Sequence, residues 1–178
     1  DAIVTIESIQ NGSILELDIT SQGYPTALQP RFGTIDRRTS NSLGSAVFDI
    51  RFVEGGTLTT YTLPAFNAYL VDIDGEGDFN EFQAVTNAGN IDFGSGAQNN
   101  IEVLSDPAPF NNRYQDKTQT SANGIPVNVF DRIVRVGFTD VQSFKWKFGV
   151  RYRDGSGGSS ERLFSFYVLC IPEFQTEQ

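Results

Sequence analysis

Five carboxylates fall within the stretch "VDIDGEGDFNEF": Asp72, Asp74, Glu76, Asp78 and Glu81. Carboxylates about 5 Å apart repel by roughly 1 kcal/mol per pair even in water, and by more beside low-dielectric protein. A hard divalent cation removes that repulsion and accepts six to eight oxygens. Gly75 and Gly77 let the backbone fold back, so that carbonyls can join the side chains. Counted as an EF-hand from Asp72, the loop places Asp74, Glu76, Gly77 and Asp78 at the third, fifth, sixth and seventh positions. The twelfth position, which needs a bidentate Glu, is Gln83. Glu81 stands two residues early, and no helical pattern flanks the loop. The spacing therefore predicts a strand–loop–strand stapled by Ca2+, with those five carboxylates as the metal ligands. The competing expectation is a solvated acidic loop.

Other chemistry finds little support. The chain has no histidine, which removes His-based triads and His-ligated zinc. Cys170 would be a nucleophile without an imidazole partner. It lies in phase with Phe164, Phe166 and Val168, which predicts a buried thiol, with an intermolecular disulfide as the alternative. Paired carboxylates hydrolyse glycosides when held across a sugar ring, but the dense pairs here share one glycine-rich loop. A non-enzymatic protein is expected.

The elements that must carry the acidic loop have an apolar period of 2. "AIVTIESIQ", "NG" and "SILELDIT" have the form of a hairpin with a type I′ turn, which would point Leu15, Leu17 and Ile19 inward and leave Glu16 and Asp18 in solvent. "AIVTI" is thus expected as the first strand of its own sheet, with donation to another copy as the alternative. "SAVFDIRFV" alternates Ala46, Phe48, Ile50 and Phe52 against Asp49 and Arg51. "TLTTYTL", "FNAYLV", "EFQAVTN" and "NIEVL" read as further strands. In "SFKWKFGVRYR", Phe144, Trp146, Phe148, Val150 and Tyr152 share one face. "RLFSFYVLCI" follows the turn "DGSGGSS". Residues 21–44 and 105–125 carry Pro, Gly, Asn and Ser at turn density and read as loops. No helix, repeat or linker stands out. The expectation is one domain over 1–178: all-β, an antiparallel sandwich of jelly-roll type with about ten strands and no substantial helix. On the strand from Phe66, the parity of Phe66, Ala68 and Leu70 continues into Asp72 and Asp74. The carboxylates would then emerge at the rim where the inward face ends.

Opposite the Trp146 face, Lys145, Lys147, Arg151 and Arg153 project together. They are a candidate docking stripe for an acidic polysaccharide or for the acidic surface of another copy. A solvated face with cross-strand partners such as Glu161 is the alternative.

The series "YTLPAFNAYLVDID…E…V", then "RVGFTDVQSFKWKFGV" and "RLFSFYV", resembles a loosely defined group of secreted β-sandwich domains from extracellular and surface proteins of aquatic microbes and algae. The shared pattern is an aromatic strand running into Asp-x-Asp, a Glu opening the next strand, a later "v.F.nv.sf.f.f" strand and a closing "g..lfsF" strand. These fall on Asp72, Asp74, Glu81, Phe138, Val141, Phe144, Trp146, Phe148 and Phe164–Phe166, within Phe48 to Cys170. The resemblance implies an extracellular, non-catalytic sandwich that binds calcium.

Composition sets the outer limits. The 178 residues are 39% hydrophobic and carry a net charge of -9. Nucleic acid and anionic membranes would repel such a chain. No apolar run approaches the ~18–20 residues that span a bilayer. One cysteine cannot form an intrachain disulfide. A first residue of Asp, with no methionine in the chain, is the expected product of a cleaved secretory signal. Asn11 in "NGS" would then be a glycan acceptor in a eukaryotic source, or simply a turn residue. Two functions fit. The first is a secreted structural or adhesive module, a subunit of an extracellular filament, sheath or matrix whose partners are its own copies or matrix components. The second is a lectin-like carbohydrate-binding module, which would show a solvent-open aromatic groove from residues such as Tyr24, Phe110 and Tyr114.

Overall fold

The computed structural model describes residues 1–35, 39–118, 120–121, 125, 130–153 and 159–169. Cys170 and most of the "DGSGGSS" turn lie outside the described residues. Within them the protein is all-β and every strand pairing is antiparallel. The strands are β1 (Ala2–Gln10), β2 (Gly12–Glu16), β3 (Arg31–Thr34), β4 (Leu43–Phe52), β5 (Leu63–Val71), β6 (Gly75–Glu76) and β7 (Phe79–Val85). They continue as β8 (Asn90–Phe93), β9 (Ile101–Asp106), β10 (Asn111–Asp116), β11 (Val134–Val141), β12 (Ser143–Tyr152), β13 (Glu161–Leu163) and β14 (Ser165–Leu169). Helix is confined to single turns at Ala97–Asn100 and Phe130–Arg132. No described helix is long and apolar enough to cross a membrane.

The first sheet runs β1-β4-β12-β7-β10-β9, with β6 folded onto β7. The second runs β14-β5-β11-β8, and a third, small sheet runs β13-β3-β2. Period-2 alternation explains why the first two close on each other. Phe48 and Ile50 of β4 and Phe144, Trp146 and Phe148 of β12 turn to the same interior as Phe66, Leu70, Val136 and Phe138 of β5 and β11. Rings meet across the interface: Phe66 with Phe52 at 5.4 Å, Phe138 with Phe144 at 4.9 Å, and Phe166 with Trp146 at 5.2 Å. Each offset or edge-to-face pair contributes about 0.5–1.5 kcal/mol beyond its buried area. Trp146 is fully buried, as its parity requires. Gly149 interrupts the large residues of β12 because a Cβ there would stand 2.0 Å from the Gly44 carbonyl oxygen.

Several elements differ from expectation. The chain does not form a hairpin at Asn11-Gly12. β1 pairs with β4, from Ala2 opposite Phe52 to Gln10 opposite Ser45, while β2 pairs with β3. Asn11 (φ 48°) is the corner between two sheets. Its side chain donates to the Leu43 carbonyl at 2.8 Å, and its own carbonyl accepts from the Tyr152 hydroxyl at 2.8 Å. Leu15 and Leu17 are consequently exposed and only Ile19 is buried. A local turn signal lost to a longer, non-local ladder. Before β5 begins at Leu63, "TLTTYTL" forms an isolated bridge, Val53 with Thr60, and leaves Leu58 exposed. Conversely, β10 lies in a segment read as loop. "NNRYQD" has no apolar alternation, yet it is paired on both sides, by β7 and β9. β3 likewise lies within 21–44, and its Phe32 is fully buried against Phe148.

Candidate functional sites

The acidic loop begins where β5 ends. Asp72 takes a left-handed backbone (φ 66°), a conformation Asp tolerates better than most residues, and turns the chain into the β6–β7 hairpin. That turn carries the carboxylates inward, not to a rim. Asp72, Asp74 and Glu81 are 5%, 2% and 1% exposed. Two arginines meet them. Arg132 Nη1 donates to Asp74 Oδ2 at 2.7 Å, and Arg162 Nη2 to Asp74 Oδ1 at 3.1 Å. Arg162 also pairs with Glu76 at 3.2 Å, and its Nε donates to Glu81 Oε1. Asp78 is half-buried, and its backbone carbonyl accepts from the Arg153 N–H at 3.0 Å.

The structure thus gathers Asp72, Asp74, Glu76 and Glu81 around a guanidinium. Among the described residues, no group of three or more His, Cys, Asp or Glu is arranged to hold a metal ion. Calcium at the focus of these oxygens would face the Arg162 charge. Two buried oxygens, Asp72 Oδ1 and Glu81 Oε2, have no hydrogen-bond partner. Three buried carboxylates exceed two arginines. Burial, then the charge of Asp74, pushes the Asp72 carboxyl up to about 8. Burial is also the main cause that holds Glu81 well above its ordinary value. Arg162 and Arg132 had no sequence signal, because they reach the loop from β13 and from the turn before β11. Gln83, the failed twelfth ligand, serves the core instead: its Oε1 accepts from Trp146 Nε1 at 3.0 Å and its Nε2 donates to the Val71 carbonyl at 2.7 Å.

Lys145, Lys147 and Arg151 lie on one face of β12, with Arg153 just beyond its end, and the first three make contacts inside the molecule. Lys145 pairs with Glu7. Lys147 Nζ lies 2.9 Å from Asp106 Oδ2, with the Phe82 and Phe110 rings 5.7 Å and 5.5 Å away. Arg151 donates to Asn80 at 3.3 Å and to Asn41. Arg153 is half-buried, and its Nη1 has no partner. Glu161 is held by Arg31 at 3.1 Å and not by the stripe. The covering material is β9, read from the sequence as a strand, together with β10 and the turn carrying Phe110, which lie in the segment read as loop.

The outer face of the second sheet is different. Tyr167, Tyr69, Arg135 and Asp92 stand directly opposite one another across β14, β5, β11 and β8. Each strand contributes one side chain to a single row. Tyr24 stacks on Tyr167 with ring centres 5.0 Å apart and planes within 19°, and Tyr69 lies 6.1 Å from Tyr167. Arg135 donates to Asp92 through Nε at 3.1 Å and through Nη2. With Val71, Phe93, Ile133 and the exposed Phe130, these residues line an open cavity of about 460 Å³. Of the aromatic residues expected in such a groove, only Tyr24 is there. Tyr114 is buried against Phe93, and burial pushes its hydroxyl up to about 12. Phe110 is buried over Lys147. The missed residues, Tyr69 and Tyr167, carried one signal: each sits on the outward parity of a strand whose other face is apolar.

Comparison with protein-family models, curated proteins and solved structures finds no match to the chain.

Proposed function

We propose that this protein is a non-catalytic carbohydrate-binding module of an extracellular protein, built as a jelly-roll-like β-sandwich, which holds glycan against the outer face of its second sheet. The observation that carries this reading is the row Tyr167–Tyr69–Arg135–Asp92 with Tyr24 stacked at its end. The C–H face of a sugar ring is apolar and packs on aromatic faces, while its equatorial hydroxyls need donors and acceptors at the edge. The row supplies both, and the groove is large enough for a ring. The guanidinium of Arg135 is already matched by Asp92, so the site carries no free charge and suits a neutral sugar.

The test is a printed array of neutral and uronic-acid glycans probed with wild type and with Tyr69→Ala/Tyr167→Ala. Wild type should retain neutral glycans, and the variant should lose about two- to tenfold in affinity for each ring removed. Retention of the same glycans by the folded double variant would remove the sheet face from the reading.

A structural, self-assembling role remains the second reading because one edge of the first sheet is β1, whose Ile6 and Ile9 are exposed. An uncovered edge strand is a template for another chain. Light scattering across a concentration series, with Ile6→Lys as the blocking variant, separates this reading from a monomeric binding module.

A further inference from the structure

We propose that the same sheet face carries a second sugar position, formed by Asn67 and Asn90 on either side of Gly137, so that the module grips a neutral glycan chain along its strands and not a single terminal ring. This rests on the reading of the Tyr69 face as a carbohydrate site. Asn67 lies opposite Gly137, and Gly137 opposite Asn90. These residues form the next row on the same face, two positions along from Tyr69–Arg135–Asp92. Rows so related are ~6.6–7 Å apart, which places a neighbouring ring of one chain over each.

The absence of a side chain at Gly137 creates the space. A depression of about 230 Å³ is lined there by Ala65, Asn67, Asn90, Gly137 and Thr139. A Cβ on Gly137 would stand 3.4 Å from Asn67 Oδ1 and 3.5 Å from Asn90 Cβ. A methyl would therefore fit and a larger side chain would fill the slot. Neither Asn67 nor Asn90 has a hydrogen-bond partner for its amide among the described residues. Each amide offers two donors and an accepting oxygen, which match the alternating donor and acceptor character of sugar hydroxyls. The lining of this slot contains no ionisable group, and the adjoining Arg135–Asp92 pair cancels its own charge. A polyanion would find nothing to neutralise it and would be repelled by the net charge of -9.

The experiment is titration calorimetry of wild type, Gly137→Val, Asn67→Ala/Asn90→Ala and Tyr69→Ala. The probes are β-linked gluco-, manno- and galacto-oligosaccharides from single rings to hexamers, with oligo-uronates as the charged comparison. Wild-type affinity for a neutral series should rise by about tenfold, ~1.4 kcal/mol, between the single ring and short oligomers, then level off. Gly137→Val and the double amide variant should keep the single-ring affinity and lose that rise, while Tyr69→Ala loses both. Gly137→Ala, whose methyl meets ordinary contacts, gives a milder second variant should Gly137→Val fail the circular dichroism check. An unchanged length dependence in Gly137→Val overturns the second position while leaving the Tyr69 site standing. Preference for oligo-uronates overturns its neutral character. Self-association abolished by Gly137→Val would make a second copy the occupant. Failure of wild type to bind any of these sugars would remove the carbohydrate reading and this inference together.

Discussion

Arg162 and Asp74 are joined by a hydrogen bond of 3.1 Å between Nη2 and Oδ1, which ties β13 near the end of the chain to the loop that follows β5. Asp74 is 2% exposed, and its other oxygen is held by Arg132. Removing a partner from a buried ion pair leaves an uncompensated charge, a loss of about 3–5 kcal/mol. Arg162→Met should lower stability by that order in urea unfolding. Arg162→Lys should not restore it, because one ammonium cannot address Asp74, Glu76 and Glu81 as the guanidinium fork does. A folded Arg162→Met as stable as wild type would show that the cluster contributes nothing.

The same cluster sets a pH dependence. Burial and the Asp74 charge push the Asp72 carboxyl up to about 8 in the folded protein, against an unfolded value of ~4. Between those values the folded state holds a proton that the unfolded chain has released. Stability is therefore greatest below the unfolded value and falls as pH rises towards and through about 8. Glu81 acts in the same direction. Urea midpoints measured from about pH 5 to pH 9 should decline, and Asp72→Asn should flatten the slope. A midpoint that rises across this range would mean that Asp72 is ionised in the fold.

Calcium should leave the melting temperature unchanged, because the Arg162 guanidinium sits where the ion would bind. A site selective for the folded state would add about 2.7 kcal/mol at a hundredfold excess over Kd, a shift readily seen in thermal melts with calcium and with chelator. A calcium-dependent rise that disappears in Asp74→Ala would place an ion in the cluster after all.

Two lysines of the β12 stripe should part company. Lys147 faces the buried Asp106 at 2.9 Å, whereas Lys145 and Glu7 are both substantially exposed. Lys147→Glu sets a carboxylate against Asp106 and should cost about 3 kcal/mol or more. Lys145→Glu should cost no more than about 1 kcal/mol. Equal effects in chemical denaturation would mean that the covering turn with Phe110 does not exclude solvent.

Gln83 bridges the only tryptophan to the second sheet, accepting from Trp146 Nε1 and donating to the Val71 carbonyl. Gln83→Leu should leave both groups buried and unsatisfied, at about 1–3 kcal/mol. Trp146 emission in wild type should be blue-shifted and poorly quenched by acrylamide. Free quenching would contradict its burial.

The sequence by itself determined the class of element and the facing of the strands that build the core. Alternation on β4, β5 and β12 put Phe48, Phe66 and Trp146 inside because a pleated strand sends successive side chains to opposite faces, whatever it pairs with. The density of carboxylates around Asp72 was equally legible, since it lies within one loop. What neutralises them was not. Arg132 arrives from the turn before β11 and Arg162 from β13, and only the tertiary structure could bring their guanidinium groups to these carboxylates. The partner of β1 was hidden for the same reason: Asn11-Gly12 advertises a local hairpin, while the ladder with β4 depends on residues more than thirty positions away. The aromatic row is a matter of register between strands that are not consecutive, β14 with β5, β5 with β11 and β11 with β8. Parity assigns Tyr69 and Tyr167 to outer faces, but pairing alone decides that they stand side by side, with Arg135 and Asp92 completing the row.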